Sequence, residues 1–150
     1  MVKVLVAALA VMAIAVAGFA GETATYEKDI KKIVAVRCYD CHGPQAPAMD
    51  EWKRDKEGYT KKDLGPRMDT YEHMVVMVKG SEAGAMMRRL DDGKNTNPGK
   101  PGNMHAYLGS TEAERSANLE TFKKWVGSWN LKRKKDMSAE ELDAIKAPEK

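Results

Sequence analysis

The sequence predicts an all-α domain behind a short apolar leader, and three observations predict it. Apolar residues recur at helical spacing over 26–37, 71–78 and 112–129. Ser, Thr or Asp stands where those segments start, and Gly where the second one stops. No stretch alternates convincingly as a strand.

The leader comes first. After Met1-Val2-Lys3 an apolar run covers residues 4–20, and Gly18-Phe19-Ala20 places small residues where a signal peptidase reads. One cation, an apolar run and a small-residue end make a secretory signal peptide. A retained span needs about 20 apolar residues, and this run is shorter. Cleavage after Ala20 is therefore expected. It delivers an exported, periplasmic chain with no membrane span. The expected division is a leader over 1–20, one domain over 21–131 and a charged extension over 132–150.

The first helix is expected over 26–37. It has Tyr26, Ile30, Ile33, Val34 and Arg37 on one face and Thr23 or Thr25 as its cap. Residues 43–68 read as irregular, because Gly43, Pro44, Pro47, Gly58, Gly65 and Pro66 interrupt them. Trp52 and Tyr59 lie there, as packing over a loop or as donors to a bound group. Asp69-Thr70-Tyr71-Glu72 reads as a capping box for a helix that stops at Gly80. Ser81 is expected to cap a short helix through Leu90. Residues 91–103 form a Gly/Pro-rich loop that delivers Met104. Thr111-Glu112-Ala113-Glu114 is a second capping box. It opens a helix with Leu119, Phe122, Trp125, Val126 and Trp129 on one stripe. A short polar helix over 138–145 ends the chain, in a tail expected to pack weakly or move freely.

Chemistry concentrates at Cys38-Tyr39-Asp40-Cys41-His42, which holds both cysteines and one of three histidines. A structural zinc site needs four ligands, and His73 and His105 show no zinc-ligand spacing. A redox dithiol would want an α/β surround. Cys-x-x-Cys-His is instead the attachment sequence of c-type haem. Two thiols add to the two vinyl groups on one porphyrin edge, and the next residue brings an imidazole to the iron. One motif implies one haem c, bound through Cys38 and Cys41 with His42 as proximal ligand. Haem is attached after export, which agrees with the leader.

The order of parts then resembles the class I cytochrome c family over about residues 24–130. An N-terminal helix enters Cys38-Tyr39-Asp40-Cys41-His42-Gly43. A loop through Gly102-Asn103-Met104 precedes Tyr107-Leu108, and an aromatic-bearing helix follows. The resemblance implies N- and C-terminal helices crossed beside one haem, with the methionine loop over its other face. Two departures stand out: His105 follows the methionine where proline is frequent, and residues 132–150 have no counterpart.

Met104 is the expected distal iron ligand. Met74 and Met77 are wanted for core, Met68 just precedes their helix, and Met86 and Met87 lie on a short helix where packing is the commoner role. Met49 is close to His42, and Met137 is in the tail. His105 is the nearest rival and His73 the next. A haem with two protein ligands implies a one-electron carrier rather than an enzyme. An open sixth site with peroxidase or gas-binding activity is the alternative, as is a subunit of a larger electron-transfer assembly. The 25 basic and 22 acidic residues are nearly balanced, and nucleic acid is not expected. Two basic clusters, at 132–135 and at Lys53, Arg54, Lys56, Lys61 and Lys62, offer docking for acidic redox-partner proteins, with a solvated surface as the alternative. The oligomeric state is left open.

Overall fold

Thr25 opens the domain. Its hydroxyl accepts from the Lys28 N–H at 3.3 Å, and its own N–H donates to Asp29 at 2.9 Å. The computed structural model describes residues 23–94, 96 and 99–150; the leader expected over 1–20 lies outside them. The first turn, Tyr26–Ile30, is a π-helix that runs into α1 (Lys31–Arg37). Residues four apart on this rod, Tyr26, Ile30 and Val34, are fully buried, while Ile33 lies at the edge of the core.

The buried face of α7 (Glu112–Val126) meets that stripe with Leu119, Phe122, Trp125 and Val126. The Tyr26 ring is tilted 6.4 Å from Trp125 and edge-on at 5.7 Å to Tyr71, and Phe122 meets Trp125 edge-on at 6.4 Å. These rings hold the N- and C-terminal helices together, as the sequence predicted. Thr111 caps α7 through the Glu114 N–H at 3.2 Å. The Glu114 carboxylate reaches back over the start of the helix. It accepts from the Ser110 N–H at 2.8 Å and pairs with Arg37, so it ties α7 to α1. Gly127, at φ +75°, ends the helix before Trp129, which therefore lies beyond the stripe rather than on it.

Between these helices the chain is more helical than expected. After α2 (Tyr39–His42), residues 43–68 carry α3 (Met49–Arg54) and α4 (Lys56–Thr60). Local caps make both: the Ala48 N–H donates to Glu51 at 2.9 Å, and the Gly58 N–H to Asp55 at 3.0 Å. α5 (Tyr71–Val78) is capped by Thr70, one residue later than expected, because Asp69 is engaged by Arg67 and His73. α6 (Ala85–Leu90) starts from Gly84 at φ +78°, not from Ser81. A Cβ at Gly84 would stand 2.2 Å from the Lys132 carbonyl, so the tail's approach fixes that start. Met74, Met77, Val78, Met86, Met87 and Leu90 fill the core from these two helices. Among the described residues there are no strands, and the all-α expectation holds.

The tail departs most from expectation. α8 (Ala139–Asp143) is closed by a full capping box between Ser138 and Glu141, and Ile145 and Ala147 are buried in the core. Tyr26 and Glu27 donate their N–H groups to the carbonyls of Pro148 and Glu149, both at 3.0 Å. Trp125 Nε1 donates to Pro148 at 2.8 Å and the Tyr71 hydroxyl to Ala147 at 3.0 Å. Ala147 adopts φ +43°, a conformation an alanine keeps only where its surroundings over-determine it. The tail is thus a strap across the helix crossing, not a weakly packed appendage.

Candidate functional site

Cys38 closes α1 with a 2.8 Å bond from its N–H to the Val34 carbonyl. The Cys38 carbonyl in turn accepts from Cys41 at 3.2 Å and His42 at 2.8 Å. One helical turn therefore carries both thiols and the imidazole, and the thiols are not bonded to each other. Burial, with Cys41 adjacent, pushes the Cys38 thiol up to about 11. A redox dithiol needs a depressed thiol that ionises near neutrality, so this shift runs against a thioredoxin-like role.

His42 is held from the side away from its free nitrogen. Its Nδ1 lies 2.7 Å from the Pro66 carbonyl. Nδ1 therefore carries the proton and donates, and Nε2 keeps a lone pair for a metal. Burial lowers its pKa, the Pro66 bond opposes that in part, and the Arg89 charge adds to the lowering. The net effect keeps the ring neutral, the form that binds a metal. The 43–47 loop, which directly follows His42, does not supply this carbonyl. That loop is used otherwise: the Gln45 amide covers the Tyr39 and Asp40 carbonyls at 2.8 and 3.1 Å, and Ala46 bonds back to Gly43.

The 65–68 segment supplies the carbonyl instead. Gly65 donates to Cys41 at 2.9 Å, Arg67 to Pro47 at 2.9 Å and Met68 to His42 at 2.8 Å. A Cβ on Gly65 would stand 2.1 Å from His42 Cε1, so only glycine lets the strap lie on the ring. The Gly65-Pro66 dipeptide was visible in the sequence, but as a helix breaker.

Met104 is partly buried against the core, and its N–H donates to the Arg89 carbonyl at 2.9 Å. The loop that carries it is tied at its base. The Asp91 carboxylate accepts from Trp129 Nε1 and from the Gly93 N–H, both at 2.9 Å, and the Asp91 carbonyl accepts from Gly102 at 2.8 Å. Trp129, displaced from the α7 stripe, thus anchors the loop. Arg89 links the two halves of the site, because its carbonyl holds Met104 while its charge acts on His42. Nothing in the sequence marks Arg89 out.

The rival histidines each have Nδ1 engaged, as His42 does, and differ in where they lie. His105 Nδ1 lies 3.0 Å from the Leu90 carbonyl. His73 Nδ1 lies 3.0 Å from Asp69 and 3.1 Å from the Thr70 hydroxyl, and its ring lines a groove that Cys38, Cys41, His42 and Met104 do not line. Met74, Met77, Met86 and Met87 are buried core, and Met68 is bonded to the His42 side. Two thiols on one turn and a neutral imidazole with a free Nε2 fit the donor set of a c-type haem. The buried Nε1 of Trp52 has no acceptor among the described residues, and a propionate could supply one.

A family profile described as PccH Cytochrome c matches residues 25–148. Among curated proteins nothing matches the chain. The structure of monoheme cytochrome PccH from Geobacter sulfurreducens is similar to it at a TM-score of 0.78 and 51% identity, over 83% of this chain and 98% of that one. The helical arrangement is accordingly cytochrome c-like. The profile match takes in the tail as far as 148, which the class I pattern left without a counterpart.

Proposed function

Because the chain belongs to the PccH cytochrome c family, with its one covalently bound haem c, we propose that it is an exported one-electron carrier working between protein redox partners. The observation that carries this reading is the His42–Pro66 bond, which fixes one imidazole nitrogen as donor and presents the other. When bound, the haem supplies a one-electron iron couple.

The residues divide the remaining work. The Cys38 and Cys41 thiols become the thioethers that fix the haem edge to the α1–α2 turn. His42 Nε2, oriented by Pro66 and backed by Gly65, would be one iron ligand. Met104, on a loop tied at Asp91 and Arg89, would be the other. A thioether favours ferrous iron, so this pair sets a higher potential than two histidines would. Both ligands sit on hydrogen-bonded backbone that need not move when the electron arrives, which keeps reorganisation small. With His42 and Met104 both binding the iron, no position there would be left for a substrate, which supports a carrier role.

Export is supported by the apolar run over 4–20. Among the described residues no helix is long and apolar enough to cross a membrane. A redox titration followed by absorbance tests the carrier reading. The expected result is one reversible one-electron wave with a low-spin spectrum in both states. A high-spin ferric spectrum would place the protein with peroxidase-like or gas-binding haem proteins instead.

A further inference from the structure

We propose that the groove between α6 and the tail segment 132–137 is a docking surface for the acidic face of a protein redox partner. The kind of partner rests on the carrier reading; the surface itself rests on geometry and charge.

The two basic clusters of the sequence differ in the fold. In the 53–62 cluster the cations are already engaged. Lys53 pairs with Glu82, Arg54 with Asp50, and Lys61 with Glu57 at 2.7 Å. Lys56 lies over the Trp52 ring at 5.2 Å and Lys62 over Tyr59 at 6.0 Å. In the other cluster only Lys132 is paired, with Glu141 at 2.6 Å. Arg133, Lys134 and Lys135 are exposed and make no ion pair among the described residues. Together with Arg88 they line a groove of about 480 Å³, which Leu142 also lines. The one acid on its wall, Glu82, is taken by Lys53. Burial lowers the Arg88 pKa first, the Arg133 and Arg89 charges lower it further and Glu82 and Asp136 oppose them; its guanidinium donates to the Lys132 carbonyl. Like charges are thus held together with too little counter-charge, which an acidic surface would relieve.

The groove is also built. The Lys132 carbonyl is received by Gly84 and Arg88, Met137 packs against the core, and the Ser138–Glu141 capping box closes the segment. It lies on the same helix as the carbonyl of Arg89, which holds the Met104 loop. A partner seated here would stand beside the element that carries the proposed distal ligand.

The probe is a deca-glutamate peptide, titrated into the ¹⁵N-labelled ferrous holoprotein at about 0.01 M ionic strength, where screening is weak. Amide shifts are expected around 82–88, 133–135 and 142, and they should vanish at high salt. Arg133→Glu with Lys134→Glu should weaken binding about tenfold or more. The matched Lys61→Glu with Lys62→Glu should change it by less than about twofold. The neutralising pair Arg133→Gln with Lys134→Gln replaces the first variant if reversal disturbs folding, and should weaken binding in the same direction. Shifts centred on 53–62, equal weakening by both reversals, or no shift at low salt would overturn the proposal. So would inorganic phosphate giving the same shifts at the same concentration, which would make the groove a small-anion site. An intact low-spin spectrum in these samples keeps a failure of the groove distinct from a failure of the carrier reading.

Discussion

Gly65 and His42 cannot be altered independently. The 2.1 Å approach that a Cβ would make to the imidazole means that Gly65→Ala has to push the ring or lift the strap. Either movement weakens the Pro66 bond that orients Nε2. We expect the variant to fold and bind haem through its thioethers, yet to show a high-spin fraction by absorbance; an unaltered low-spin spectrum would show that the strap is free to yield. Tyr26 offers a test of the opposite sign. Its hydroxyl is buried without a hydrogen-bond partner among the described residues, and burial is the first cause of its raised pKa. An unsatisfied buried group costs about 1–3 kcal/mol, so Tyr26→Phe should hold or raise the melting temperature. A clear drop would reveal a partner for that oxygen. At Asp69, the Arg67 guanidinium holds the carboxyl below its usual value, and His73 adds to this. A depressed folded-state value stabilises the fold above the ordinary carboxylate range, and that contribution is lost as pH falls through the depressed value. Asp69→Asn should therefore lose less stability on acidification than the natural protein, as read by denaturation at a series of pH values.

At the scale of elements, α7 carries the clearest pattern and the firmest prediction. Phe122 is buried between the two terminal helices, and Phe122→Ala should cost about 3–5 kcal/mol in a denaturant titration; a loss below about 1 kcal/mol would remove the helix crossing from the account. This helix was legible because it runs for about four turns and carries its apolar residues on one stripe. α3 and α4 were not, since helices of six and five residues contain too little periodicity to separate them from a loop. The two misplaced starts have tertiary causes. Asp69 is drawn off by Arg67 and His73, and Gly84 is selected by the Lys132 carbonyl, 48 positions on in the chain. No local signal carries either contact. The haem site divides the same way. That Cys38, Cys41 and His42 share one helical turn was legible because the motif is five consecutive residues. Pro66, 24 residues from His42, was not, because the fold decides which carbonyl meets the ring.

For the molecule as a whole, the tail and the distal loop decide whether the site is rigid. The tail covers Trp125 and satisfies N–H groups of Tyr26 and Glu27. Deleting residues 145–150 exposes Ile145's core site and orphans these donors, which should cost on the order of 3–5 kcal/mol, seen as a lowered melting temperature. The sequence suggested a loose tail because its charges hide two buried residues, Ile145 and Ala147, that have no helical period. In the proposed carrier the iron would be held by His42 and Met104. Carbon monoxide added to the reduced natural protein and to Met104→Ala tests it most directly, together with the weak sulfur-to-iron absorption in the far red of the oxidised protein. The natural protein should show the band and resist carbon monoxide, while Met104→Ala should lose the band and bind the gas. A variant that keeps the band, or a natural protein that never shows it, would contradict the account and move the sixth ligand elsewhere.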